Sequence, residues 1–126
     1  MADPNAQLPD RIYHVTFASE WRNAQPGAEY TLSTRGASLE DVGYIHASFA
    51  HQVERIGSLI FGDATEPLVV LAIDPERLEC AVRVENLEGG TEQFPHIYGP
   101  LPAAAVVDVL PARLDGTRVV VEGLDS

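Results

Sequence analysis

The period of apolar and polar residues changes several times along the chain, and each change predicts a new element. Ile12, Val15 and Phe17, with Tyr13 among them, alternate through residues 11–17 as a half-buried strand does. Ser19 then stands where it caps a short helix, with Glu20 and Trp21 in the first turn and Pro26-Gly27 closing it. Residues 29–33 predict a second strand, Gly36 a turn, and residues 38–42 a short helical or turn segment. Gly43 opens a strand through Tyr44, Ile45, His46 and Ala47.

After Ser48, an expected N-cap, Val53, Ile56, Leu59 and Ile60 recur at helical spacing until Gly62. This is the clearest helix in the sequence. Residues 68–73 form a nearly continuous apolar run and residues 81–85 an alternating one, two strands separated by a turn at Asp74-Pro75. Gly89 and Gly90 mark a loop, residues 94–101 stand as a stretch of their own, and residues 106–110 and 119–122 predict two closing strands. Helices early and strands late give an α+β fold with an antiparallel or mixed sheet.

Length and charge narrow the function classes. With 126 residues the chain is expected to form a single domain over residues 11–126 behind a flexible lead-in, residues 1–10. The lead-in carries Asp3, Pro4 and Pro9 where a signal peptide needs basic and then apolar residues. The longest apolar run falls far short of the roughly 20 residues of a membrane span. A cytoplasmic location and no membrane partner are therefore expected. The formal charge of -11 disfavours nucleic acid as a partner. Every base is an arginine, and the lack of lysine removes Schiff-base chemistry and a Walker-type phosphate lysine. Cys80, the sole cysteine, is read as a buried structural thiol in a strand over residues 78–84, because nothing basic adjoins it.

The candidate chemistry lies in three histidine motifs: Ile12-Tyr13-His14-Val15-Thr16, Gly43-Tyr44-Ile45-His46-Ala47-Ser48, and Phe94-Pro95-His96-Ile97-Tyr98-Gly99-Pro100-Leu101. In a strand, residues two apart share a face, which pairs His14 with Thr16 and His46 with Ser48. Imidazoles exchange protons near neutral pH, so His14, His46 and His96 are the candidate catalytic residues of one pocket. A helix starting at Ser48 would present backbone N–H groups to an anion. Tyr13, Tyr44 and Tyr98 are candidates to stack on a base or nicotinamide ring, and Arg11, Arg35, Arg55 or Arg83 to pair with phosphate oxygens. Tyr13, Thr16, Tyr44, Ser48 and Tyr98 thus make up the expected nucleotide- or cofactor-binding set. His51 reads as a surface or capping residue. No metal site is expected, since the chain has no H-E-x-x-H motif or other short-range ligand pair.

With Gln52 beyond the second motif and L-V-V-L-x-I-D at residues 68–74, these motifs resemble the uncharacterised bacterial and plant family called domain of unknown function 952, over residues 11–109. Members of that family look like the ADP-ribosyltransferase fold, a split, curved pair of antiparallel sheets with short helices that cradles NAD. The resemblance implies NAD or a related nucleotide as ligand, His14 on the adenosine ribose, and Tyr44 or His46 against nicotinamide. The late glutamate of that superfamily would fall to Glu85 or His96. Two other readings stand beside it. One is a two-histidine phosphoesterase, with His14 and His46 as base and acid and Thr16 and Ser48 on the phosphate. The other is a non-catalytic module that binds a small anion or a partner protein.

Overall fold

The computed structural model describes residues 8–23, 30–86 and 90–124. Residues 1–7 of the expected lead-in, the Pro26-Gly27 helix stop, Glu29 and Gly89 lie outside the described residues. The apolar run of the sequence becomes β5 (Leu68–Ile73), an inner strand of a four-stranded antiparallel sheet. Leu68, Val70 and Ala72 belong to one core cluster and Leu71 and Ile73 to the other. Both faces are covered, which is why the run lacks the polar alternation of a half-exposed strand.

The neighbours of β5 are β1 (Ile12–Phe17) on one side and β8 (Val106–Asp115) on the other, with β9 (Arg118–Val121) at the far edge. A second antiparallel sheet has the order β4 (Ile45–His46), β7 (Phe94–Ile97), β6 (Val82–Glu85), and β2 (Leu32–Thr34) forms a hairpin with β3 (Ala37–Ser38). All strand pairs among the described residues are antiparallel, so of the two expected arrangements the mixed one is set aside. The first core cluster (Ile12, Tyr30, Ile45, Leu71, Ile73, Ile97) joins the two sheets. The second (Tyr13, Val53, Phe61, Val70, Leu110, Val119) lies on the other side of the large sheet, under α3 (Ala50–Phe61). Two short helices, α1 (Ala18–Asn23) and α2 (Leu39–Val42), complete an α+β fold.

Three sequence expectations need correction. Ser48 does not cap α3. Its N–H donates to Tyr13 O at 2.7 Å and its C=O accepts from Tyr13 N–H at 2.8 Å, so it is an extended residue that bridges the two sheets. The N-cap is Phe49, whose N–H is taken by Gln52 Oε1 at 3.0 Å, and the anion site drawn at Ser48 loses its basis. Ser19 lies inside α1, which begins at Ala18. Cys80 sits in the bend before β6, not in a strand, half-buried and packed so that a Cβ on Gly99 would lie 2.7 Å from its own Cβ.

Of the closing strands β8 is longer than the pattern suggests, because it runs through Pro111. In extended backbone one residue's N–H and C=O point the same way. Pro111 O accepts from Glu122 N–H at 3.0 Å, so its missing donor faces the end of the β9 ladder and costs the β5 ladder nothing. Gly43 ends α2 with φ 96°, and this left-handed residue turns the chain directly into Tyr44 and β4.

Candidate functional site

β1 alternates cleanly: Ile12, His14 and Thr16 face the small sheet, while Tyr13, Val15 and Phe17 face α3. His14 is therefore placed in an apolar layer, only 3% exposed, where an imidazole needs both nitrogens paired. Its Nδ1 lies 2.6 Å from His46 O and its Nε2 2.8 Å from the Tyr30 hydroxyl, which lies 2.8 Å from Thr16 Oγ1. A carbonyl only accepts, so Nδ1 carries the hydrogen and the neutral ring accepts at Nε2. Tyr30 then donates to His14, and Thr16 donates to Tyr30. Burial, partly offset by the bond to His46 O, lowers the His14 pKa to about 4, which keeps the ring neutral at physiological pH. Burial also raises the Tyr30 hydroxyl above the ordinary tyrosine range.

The small sheet has one face in the core and one that carries chemistry. Val82, Ile97, Ile45 and Ala47 point inward. On the opposite face Arg83 lies across from His96 and His96 across from His46, a row that crosses all three strands. The His46 and His96 rings are 5.5 Å apart, and Tyr44 stacks on His96 at 4.3 Å. Glu85, two residues from Arg83, accepts from His96 Nδ1 at 3.1 Å and from the Tyr98 hydroxyl. The Tyr98 bond is the main reason that the Glu85 carboxyl lies below the usual range, with His96 adding to it; Tyr98 is raised in turn. Arg83 lies over the Tyr98 ring, its guanidinium carbon 4.9 Å from the centroid. The result is an ionised carboxylate, two imidazoles, a guanidinium and two tyrosine rings on one face of the sheet, with His96 buried beneath Tyr44.

Beside the Tyr13–Ser48 bridge lies an opening with two adjoining spaces, which share Ser33, Thr34, His46 and Ile60 in their linings. The inner one, about 10 Å³, is lined by His14, Ser33, His46, Ser48 and Gly57 among others. The outer one, about 110 Å³, is lined by Ser33, Thr34, Val42, Tyr44, His46 and Ile60. A larger groove of about 630 Å³ lies elsewhere, across Arg11, Tyr13, Phe49, His51 and Asp108, and contains none of the three motif histidines.

His14, His46 and His96 do come together, in series rather than as a cluster. The His46 backbone links it to His14 and the His46 ring neighbours His96. Tyr44 and Tyr98 join them. Tyr13 borders the inner space but its ring belongs to the core under α3, because strand alternation sends it away from His14. Thr16 stands behind Tyr30, buried, and reaches His14 only through that hydroxyl. Ser48 lines the inner space as a strand residue. His51 is exposed and stacks on Phe49, in keeping with the surface position expected. No group of three or more His, Cys, Asp or Glu among the described residues is arranged to hold a metal ion.

Of the four candidate arginines, Arg11 lies near Asp74, Arg35 pairs with Asp63 and Arg55 with Glu92, while Arg83 alone is on the histidine face. Two residues escaped the sequence reading. Tyr30 holds His14 from a segment read only as strand, and Ser33 lines both spaces. The paired hydroxyls three apart in that segment were the available signal.

Comparison with curated proteins yields no match. Among solved structures, the crystal structure of protein CC0527 from Caulobacter crescentus is 31% identical, with a TM-score of 0.70 over 86% of this chain and 91% of that one. The solution NMR structure of CC0527 is 29% identical with a TM-score of 0.63, over 88% of this chain and 91% of that one. Residues 15–109 match the family described as protein of unknown function (DUF952). That span takes in all of the second and third histidine motifs and the closing residues of the first, and with it the chain belongs to the DUF952 family.

Proposed function

We propose that the histidine face binds a nucleotide of the NAD or ADP-ribose type, in a fold of the ADP-ribosyltransferase kind. The observation that carries this reading is the row Arg83–His96–His46 with Glu85 ionised beside it. Arg83 offers a fork to phosphate oxygens, Tyr44 and Tyr98 offer planes to a base, and Glu85 accepts from ribose hydroxyls. Glu85 rather than His96 then takes the role of the late glutamate, and a carboxylate at that place also steadies positive charge that develops on a ribose as a leaving group departs. Two separate antiparallel sheets, joined by the Tyr13–Ser48 bridge and a shared core cluster, support a split fold.

Transferase activity and simple retention of a nucleotide remain two forms of this reading, and release of nicotinamide from NAD separates them. The phosphoesterase reading has less support, and so has the ribose contact expected of His14, because that ring is buried, neutral and bonded at both nitrogens; the nucleotide reading rests on the His46–His96 face instead. A histidine-ring proton NMR titration with NAD, ADP-ribose and a cyclic nucleotide tests the reading. His46 and His96 signals are expected to shift with NAD or ADP-ribose, and Arg83→Ala to weaken that binding at least tenfold. Shifts with the cyclic nucleotide alone would overturn it.

A further inference from the structure

Ser33 is 1% exposed, and its Oγ is the one buried side-chain polar atom without a hydrogen-bond partner among the described residues. Leaving a hydroxyl dry and unpaired is costly, and such a group in a folded protein calls for an explanation. Ser33 lines both spaces of the opening, so its surroundings define what would satisfy it. The inner space, about 10 Å³, is close to the smallest that admits one water-sized group. Its wall is polar. Tyr13 spends its N–H and C=O on Ser48, so strand alternation turns the N–H and C=O of Val15 into the same opening. Ser48 and His46 line it too.

The outer space is wider, and Ser33, Thr34 and His46 form part of its lining. Val42 and Ile60 supply apolar walls, Tyr44 an aromatic one, and no arginine borders it. Its volume of about 110 Å³, open on one side, compares with the roughly 150 Å³ of a cavity that takes benzene. That size suits a single planar ring, and the lining itself holds neither arginine nor carboxylate.

From these observations we infer that the opening is a binding site for a neutral, single-ring aromatic molecule bearing one hydroxyl, with the ring beside Tyr44 and the hydroxyl in the inner space on Ser33 Oγ. A hydroxyl both donates and accepts, which is what Ser33 Oγ and the edge of β1 require. The inference does not depend on the ligand of the outer face being a nucleotide.

The test is a titration with phenol, fluorobenzene, benzoate and benzamide, read by ring signals of Tyr44 and His46 in wild-type protein, Ser33→Ala and Ser33→Cys. Phenol is expected to bind at least tenfold more tightly than fluorobenzene or benzoate, and the preference over fluorobenzene to vanish in Ser33→Ala and shrink in Ser33→Cys. Both variants should melt no lower than wild type, since they remove an unpaired group. Phenol binding no better than fluorobenzene, or a preference that survives in both variants, would overturn the assignment, as would benzamide binding more tightly than phenol. ADP-ribose titrated in parallel scores the nucleotide reading separately: if it fails to bind while phenol does, only that reading falls.

Discussion

His14, a catalytic candidate in the sequence, is held in the folded chain by bonds at both ring nitrogens. Its pKa lies below the value of an unfolded chain, so between pH 6.5 and about 4 the unfolded state binds the extra proton and the folded state does not. Stability is thus full above pH 6.5 and is lost as the pH falls toward 4, by about 3 kcal/mol over the whole window. Urea unfolding at pH 7.5, 5.5 and 4.5 is expected to show this slope in wild type and a flatter one in His14→Leu; equal slopes would detach the effect from His14. Tyr30→Phe keeps the ring and deletes the hydroxyl, leaving His14 Nε2 and Thr16 Oγ1 without their shared partner. The expected loss is about 1–3 kcal/mol, read from the same unfolding curves. The His14 motif was legible because alternation put it on a definable face. Tyr30 was not, because its partners are 14 and 16 residues away and only the folded chain brings them near.

At the level of elements, α3 does more than cover the second core. The edge of β9 presents the N–H groups of Val119 and Val121 away from β8, and α3 takes both: Ser58 Oγ accepts from Val119 at 2.8 Å and Glu54 Oε2 from Val121 at 2.9 Å. An exposed strand edge is thereby closed to pairing with another chain. Glu54→Ala combined with Ser58→Ala should lower stability by about 1–3 kcal/mol and raise light scattering on warming; clear solutions with unchanged unfolding would show that the caps are idle. The helix itself was readable from its 3.6-residue period, and so was its stop at Gly62, where a Cβ would lie 2.9 Å from Thr117 O. The start was not. A serine before a helical pattern normally signals a cap, and only the long-range pairing of Ser48 with Tyr13 overrules it. β4 shrank to two residues for a related reason: its register with β7 covers Ile45 and His46, with one more bond from Ala47 N–H to Pro95 O.

Over the whole molecule, an excess of 19 acidic over 8 basic residues makes self-repulsion a standing term. Raising salt from about 0.01 to 0.15 M shortens the screening length from about 30 to 8 Å, so the melting temperature is expected to rise over that range. The same charge predicts no retention on duplex DNA at physiological salt, and salt-sensitive retention on a DNA column would contradict it. No helix among the described residues is long and apolar enough to cross a membrane. The junction between the sheets has a mechanical consequence. A pull that parts β4 from β1 is a peel, borne by the Tyr13–Ser48 pair, the His14 bond to His46 O and the core cluster between the sheets. A pull along β1 against β5 is a shear, which loads the ladder from Ile12 to Phe17 together. The first pull widens the space beside Ser33 and His46 and loads fewer backbone hydrogen bonds than the second.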